Sequence, residues 1–149
     1  MLVLMPAVVL ILVALAAVAV DAAIALMGRR ELGAATAAAA NDAVIGALAE
    51  PAFYERCGAL DLDPAAVAAI AARSMALRAS TAYELDAVDT QVTRSPEGDA
   101  QVRVEAAGRV RLLFAPAVLG GGEQRVRAAG EAVALRASGV DPRCPEGRR

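Results

Sequence analysis

The side chains that could carry chemistry are few in this sequence of 149 residues. All 15 of its basic residues are Arg, and it contains no His. A Ser-His-Asp triad, a zinc site with His ligands and an imidazole general base are therefore excluded. A catalytic Cys57 would need a neighbouring base to form its thiolate, and the chain supplies hardly any candidate. We therefore expect that the protein is not an enzyme.

Two short stretches could be taken for ligand sites. Asp61 and Asp63 are close in sequence, but calcium needs further oxygen ligands, and Asp63 followed by Pro64 is typical of a helix start. The run from Gly120 to Gly122 lacks the GxxxxGK[ST] spacing of a phosphate-binding loop, so we interpret it as a loop between strands. We expect no metal, no cofactor and no small-molecule substrate.

The charge pattern argues against nucleic acid as a partner. The net charge is -2 at pH 7, and the two signs are interspersed without a continuous basic patch. Only 3% of the residues are aromatic, and they do not alternate with basic residues as in proteins that stack bases.

The two cysteines, Cys57 and Cys144, have no CxxC spacing. An even number of cysteines outside the cytoplasm favours a disulfide, which would join the chain after the first helix to the C-terminal tail. Closing so long a loop would contribute about 4–5 kcal/mol in the chain-entropy model. Two unrelated thiols are the alternative.

The longest uncharged stretch runs from Met1 to Val20 and ends at Asp21. About 20 apolar residues are the length at which an α-helix crosses a hydrocarbon core of about 30 Å. We therefore predict a transmembrane segment at residues 1–21, in contact with a lipid bilayer. The mean hydropathy of +0.49 is high for a soluble domain and agrees with one span attached to one small folded region.

The same helix is predicted to continue beyond the membrane over residues 22–50. No Pro occurs from Ala7 to Ala49, and the stretch is rich in Ala, the best helix former. Small residues such as Gly28 and Gly33 let helices approach closely. Two interpretations stay open: the projecting half packs in a bundle of similar helices, or it lies on the C-terminal region of its own chain.

The remaining chain is predicted to form a small α+β region at residues 51–137, followed by a polar tail at 138–149. Its helix starts with Asp63 as N-cap and runs to about Ala79. Four residues at helical spacing form the predicted core stripe: Val67, Ile70, Ser74 and Leu77.

Alternation of apolar and polar residues predicts a small antiparallel sheet of about three strands. The predicted strands are residues 88–93, 102–114 and 124–136, with a helix as the weaker alternative for the last of them. A bulge is expected near Gly130, because Val126 and Ala128 give way there to Val133 and Leu135 on the apolar face. The predicted fold class is α+β, with a long N-terminal transmembrane helix that continues outside the membrane, a second short helix and this sheet.

Four short motifs follow one another near the N-terminus: Met5-Pro6, Asp21, Arg30 to Leu32, and Asn41 to Ala43. In this order they resemble the N-terminal region of TadE/TadG-like proteins, which are minor pilins or pseudopilins of the tight-adherence (Tad, or Flp) pilus system, especially the actinobacterial versions. Members usually begin with a short basic segment and carry a Glu near the start of the span, and this sequence has neither. A misplaced start site, a removed segment and a misleading resemblance are the three explanations.

The resemblance implies a single-pass protein of the bacterial cell membrane that contributes to pilus assembly or structure by helix packing. Its C-terminal region would lie outside the cytoplasm, at the cell surface or in a pilus, with other pilins or Tad assembly proteins as partners. The residues assigned to helix packing or an interface are Asp21, Gly28, Arg30, Leu32, Gly33, Asn41 and Asp42. Taken alone, the Arg29-Arg30 pair after the span favours a cytoplasmic C-terminus.

A second hypothesis is a secreted small binding domain. Ala17-Val18-Ala19 satisfies the small-x-small rule, so residues 1–19 would be a cleaved signal peptide. The length of the apolar run and the absence of a basic n-region favour the membrane anchor instead.

Overall fold

The computed structural model describes residues 4–48, 62–94, 99–116 and 121–135. Its elements, in chain order, are α1 (Leu4–Gly46), α2 (Pro64–Leu77), β1 (Glu84–Arg94), β2 (Ala100–Arg111) and β3 (Glu123–Ala134). The α+β class is confirmed, with a long apolar N-terminal helix, a second short helix and a three-stranded antiparallel sheet. The disulfide predicted between Cys57 and Cys144 lies outside the described residues.

Helix α1 is a single helix of 43 residues, about 65 Å long at 1.5 Å per residue. Pro6 lies in its first turn, where a missing N–H leaves no helical hydrogen bond unmade. It joins the predicted span and its predicted continuation without a break. By length and composition it is the one helix among the described residues that could cross a membrane.

The sheet has the order β1-β2-β3, and α1 lies across β2 and β3 on one of its faces. Helix α2 packs against α1 and reaches β1. The core fills the space between these layers, and its largest fully buried side chains are Leu32, Thr36, Val67, Met75, Val102, Val104 and Val110. The second half of α1 therefore belongs to the same folded unit as the sheet. We call this unit the head.

The opposite face of the sheet is polar. Arg103 forms ion pairs with Glu105 and Glu131 at 2.8 and 2.7 Å. Arg109 forms another with Asp86 at 2.9 Å. Such exposed pairs each contribute little to stability, so this face is a solvated surface.

Helix α2 begins as predicted, because the Asp63 side chain accepts a hydrogen bond from the Ala65 N–H at 3.0 Å and Pro64 occupies the first helical position. Its buried residues are Val67, Ala71, Ser74 and Met75. The prediction that Leu77 belongs to the core is wrong, since 77% of this residue is exposed. The buried stripe follows Ala71 and Met75 instead, which turns Leu77 toward solvent.

The bulge predicted near Gly130 is also wrong. The β2–β3 register is continuous from Ala100 opposite Ala134 to Arg111 opposite Glu123, and the register shift lies in β1, between Leu85 and Ala87. The buried face keeps one parity to the end of β3, so Val133 is 48% exposed.

The reason is the close approach of α1 to β3. A Cβ atom on Gly130 would lie 2.4 Å from the backbone nitrogen of Ala37 and from the carbonyl carbon of Thr36. Only small residues fit beneath a helix at this distance, so Gly130, Ala132 and Ala134 occupy the covered face. The predicted end of the second strand at residue 114 is also wrong, because β2 ends at Arg111.

Candidate functional site

The seven residues assigned to helix packing divide between two faces of α1. Four of them contact the head of their own chain: Asp21, Gly28, Leu32 and Asp42. Of the other three, Arg30 and Asn41 are exposed, and Gly33 is half-buried beside them. For its inner face, the interpretation that α1 lies on its own C-terminal region is the one that the structure shows.

Asp21 holds a turn of the chain that follows β2. Its Oδ1 accepts hydrogen bonds from the N–H groups of Leu113 and Phe114 at 2.8 and 3.1 Å, and its Oδ2 accepts one from Ala115 at 2.7 Å. Asp21 as a whole is only 9% exposed. Three consecutive backbone N–H groups bind the carboxylate in the same way as the free N–H groups at a helix N-terminus bind a capping carboxylate. We call this arrangement the Asp21 clamp.

Gly28 and Leu32 fit α1 against the sheet about two and three turns further along. A Cβ atom on Gly28 would lie 2.5 Å from Cγ2 of Val110 and 2.9 Å from the carbonyl oxygen of Ala82. Leu32 is fully buried in the core. Both residues therefore serve the fold of this chain, and the small size of Gly28 allows the close approach.

Asp42 joins the two helices. Its Oδ2 accepts a hydrogen bond from the Ser74 hydroxyl at 2.7 Å and lies 2.9 Å from Nη1 of Arg78. The Ser74 hydrogen bond, opposed by burial and assisted by Arg78, holds the pKa of the Asp42 carboxyl below its ordinary value of 3.8. The cluster fixes the end of α1 to the end of α2.

The outer face of α1 is largely exposed. Arg30, Ala34, Ala37 and Asn41 are exposed there, and each follows the previous one by three or four residues. Gly33 lies among them, and a Cβ atom on it would meet nothing within 4 Å. In contrast to Gly28, Gly33 is not required by the fold of the described chain. This strip, which we call the outer strip, is the part of the predicted interface that is free to contact another molecule.

Sequence reasoning missed the partners that make the inner contacts. Leu113 to Ala115 lie more than ninety positions after Asp21, and no pattern links them. A partial signal existed for Ser74, because a polar residue in an otherwise apolar stripe needs a hydrogen-bond partner when it is buried. Gly130 gave a misleading signal, since an isolated Gly in a strand also suggests a bulge.

No three His, Cys, Asp or Glu side chains of the described segments lie close enough to hold a metal ion. Comparisons of the chain with protein-family models, with curated proteins and with solved structures give no match.

Proposed function

We propose that this chain is a single-pass, membrane-anchored minor pilin of the Tad/Flp type, which contributes to the assembly or structure of a pilus by helix packing. The head lies outside the cytoplasm, and the first half of α1 lies in the bilayer or among the helices of other pilins. The partners are the lipid bilayer and other pilins or Tad assembly proteins.

The observation that supports this proposal is the abrupt change in burial along α1. From Met5 to Val20 every side chain is exposed except Ala17, which is half-buried. Large apolar side chains are among them, with Leu10 70% and Val18 65% exposed. Exposing so much contiguous apolar surface to water is unfavourable, whereas lipid or neighbouring helices would solvate it. The first half of α1 thus has no partner within the described chain and requires one outside it.

The outer strip supports helix packing in the second half. Gly33 and its Ala neighbours offer a flat surface on which another helix can come close. Arg30 and Asn41 flank the small residues and can form hydrogen bonds to a partner. The strip continues the line of the exposed first half, so one neighbouring helix could follow α1 from the bilayer into the head.

Anchoring is tested by alkaline carbonate extraction of membranes and by N-terminal sequencing of the protein from membrane and medium fractions. We expect the intact chain to stay in the membrane pellet. A mature chain that starts at Val20 in the medium would contradict anchoring and support the secreted alternative.

That alternative has one structural observation in its favour. Among residues 5–19, cleavage after Ala19 would remove exposed side chains and the half-buried Ala17, and it would leave the Asp21 clamp and the buried core in place. A cleaved head could therefore fold, and the sequencing experiment is needed to separate the two hypotheses.

Helix packing is tested by photo-crosslinking in cells that assemble the pilus. A benzoylphenylalanine at Ala34, on the outer strip, should crosslink to another pilin or to a Tad assembly protein. The same residue at Ala68, on the exposed side of α2, is the matched control and should not. Equal crosslinking from both positions, or none from Ala34 in a membrane-bound chain, would contradict the proposal.

A further inference from the structure

The connection between β2 and β3 is apolar and lies at the end of the head that is nearest to the first half of α1. Val110, near the end of β2, lies against Gly28, whereas Gly130, near the end of β3, lies against Thr36 further along the helix. The connection is therefore at the end of the sheet closest to Asp21. From Leu112 to Gly122 the sequence has no charged residue.

Residues 112–116 are the part of this connection that follows β2, and we call them the apolar turn. Two of its large side chains are exposed, with Leu113 67% and Phe114 44% accessible to water. Neither side chain belongs to the buried core of the head. Neighbouring large apolar side chains that stay exposed indicate a contact with lipid or with another molecule.

The apolar turn reaches past Asp21 along the exposed first half of α1. Phe114 lines a cavity of about 270 Å³ together with Ala14, Ala17 and Val18 of the helix. Ala17 and Ala14 lie about 6 and 10 Å before Asp21 along the helix axis. If residues 1–20 cross the hydrocarbon core, Phe114 therefore lies at the level of its edge.

The backbone of the apolar turn leaves no N–H group without an acceptor. The Leu112 N–H donates a hydrogen bond to the Gly122 carbonyl at 2.7 Å, and the N–H groups of Leu113 to Ala115 donate to Asp21. Pro116 has no N–H. An unpaired N–H is costly where water is scarce, so non-helical backbone can approach lipid only when its donors are used in this way.

We propose that the apolar turn is a second membrane contact of this chain, in which the side chains of Leu113 and Phe114 enter the boundary between lipid headgroups and acyl chains. The proposal rests on the membrane anchoring proposed above. Apolar side chains at an interface are buried about 5–10 Å into this boundary, which agrees with the position of Phe114 near Ala17.

Lipid fits the apolar turn better than a neighbouring pilin helix does. Asp21 and Arg30 are separated by about two and a half turns, so they lie on opposite sides of α1. A helix packed on the outer strip is thus on the far side of α1 from the turn. With the turn in the interface, α1 is fixed against rotation about its own axis, and the outer strip keeps one direction in the membrane.

The test uses the full chain at one copy per phosphatidylcholine nanodisc, so that no other pilin is present. The chain has no Trp, so F114W introduces a single fluorophore in the apolar turn. Lipids brominated on the acyl chains near the headgroup should quench most of its emission, and lipids brominated near the ends of the acyl chains should quench less. L113W, which leaves Phe114 in place, should give the same order of quenching.

The matched control is L77W, at a residue that is 77% exposed at the end of α2. Ser74, one turn before it, is bonded to Asp42, which lies about 32 Å beyond Asp21 along α1. Brominated lipids should therefore leave the emission of L77W almost unchanged. Equal quenching in F114W, L113W and L77W would overturn the proposal, and weak quenching in all three would leave the turn to water or to another protein.

Failure of this contact and failure of anchoring give different results. A chain that alkaline carbonate extracts from the membrane contradicts the anchor itself. A chain that stays in the membrane while lipid does not quench F114W or L113W contradicts only the second contact.

Discussion

Residues 5–20 and 21–46 of α1 belong to one helix but have opposite surroundings. The first half carries large aliphatic side chains that are exposed on all sides, such as Leu12 and Leu15. In the second half the buried positions are mostly small, as at Ala39, Ala40 and Ala43, and the outer positions are free. A large apolar side chain in the first half therefore needs a partner outside the described chain, whereas a small one in the second half allows the sheet to come close.

The size of the apolar side chains therefore distinguishes the two halves of α1 better than their hydrophobicity does. Helix-to-sheet contact at Gly130 brings backbone against backbone, with no room for a Cβ atom. The Asp21 clamp marks the boundary between the two halves of α1, because Asp21 is the first residue of the helix that forms hydrogen bonds to the head. The following predictions test this boundary, starting with the largest expected effect.

Gly130→Val should disrupt the contact between the second half of α1 and the sheet. The added side chain would meet backbone atoms of Thr36 and Ala37, which cannot move without displacing the helix. We expect the free energy of unfolding of the head to fall by about 4 kcal/mol, at the high end for overpacking because backbone is involved. Thermal unfolding of the detergent-solubilised chain, followed by circular dichroism, measures it.

Its matched control is Gly33→Ala, on the outer strip. The new methyl group meets nothing within 4 Å, and Ala is the better helix former, so a gain of up to about 1 kcal/mol is expected. Similar losses in both variants would mean that the two faces of α1 do not differ.

Leu32→Ala compares the two halves directly. Leu32 is fully buried, so its truncation should lower the free energy of unfolding of the head by about 3 kcal/mol. Leu12→Ala, in the first half at 60% exposure, should change it by less than about 0.5 kcal/mol. Chemical denaturation of both variants in the same detergent checks this, and equal losses would refute a boundary near Asp21.

Asp21→Asn should loosen the clamp and leave the rest of the head folded. The amide keeps one oxygen and loses the negative charge, so it can no longer accept all the hydrogen bonds from Leu113 to Ala115. Amide hydrogen exchange should become faster at these three residues and stay unchanged in the core of β2. Unchanged exchange at Leu113 to Ala115 would show that the carboxylate does not hold the turn.

Asp42 should make the joint between α1 and α2 sensitive to acid. The Ser74 hydroxyl, against the effect of burial and together with Arg78, lowers the pKa of Asp42 in the folded chain below 3.8. A carboxyl whose pKa is lower when folded adds stability above its unfolded pKa, and this is lost as the pH falls through the folded pKa. The stability difference between the wild type and Asp42→Asn should therefore shrink as the pH falls below 3.8.

Ser74→Ala provides the control for this prediction. It removes the hydroxyl that contributes most to the pKa shift and should reduce the pH-dependent difference without abolishing it. Unfolding curves of the three proteins across the acidic range measure the effect. A difference that stays constant with pH would mean that the cluster does not stabilise the ionised form.

Local patterns were sufficient to predict the elements of the fold. The absence of Pro between Pro6 and Pro51 predicted one long helix, Asp63-Pro64 predicted the start of α2, and the alternation in β2 predicted its buried face. These signals depend on residues a few positions apart, where backbone geometry alone relates sequence to structure.

The errors arose where distant segments meet. Val133 and Leu135 suggested that the apolar face of β3 changes parity. In the structure α1 covers the face that carries Ala132 and Ala134. The distance between a helix and a strand cannot be predicted from a local sequence pattern. For the same reason, Gly28 and Gly33 were equivalent in sequence reasoning, although only Gly28 is needed by the fold. The Asp21 clamp depends on Leu113 to Ala115, and its discovery required the tertiary structure.

The unbroken course of α1 has a mechanical consequence. In the membrane-anchored arrangement proposed above, tilting this helix by about 10° would move its far end by about 11 Å, because no hinge separates its two halves. A change in membrane thickness that tilted the helix would thus displace the folded part. Conversely, a force on the folded part would be transmitted along the helix to its apolar end, because no hinge would absorb it.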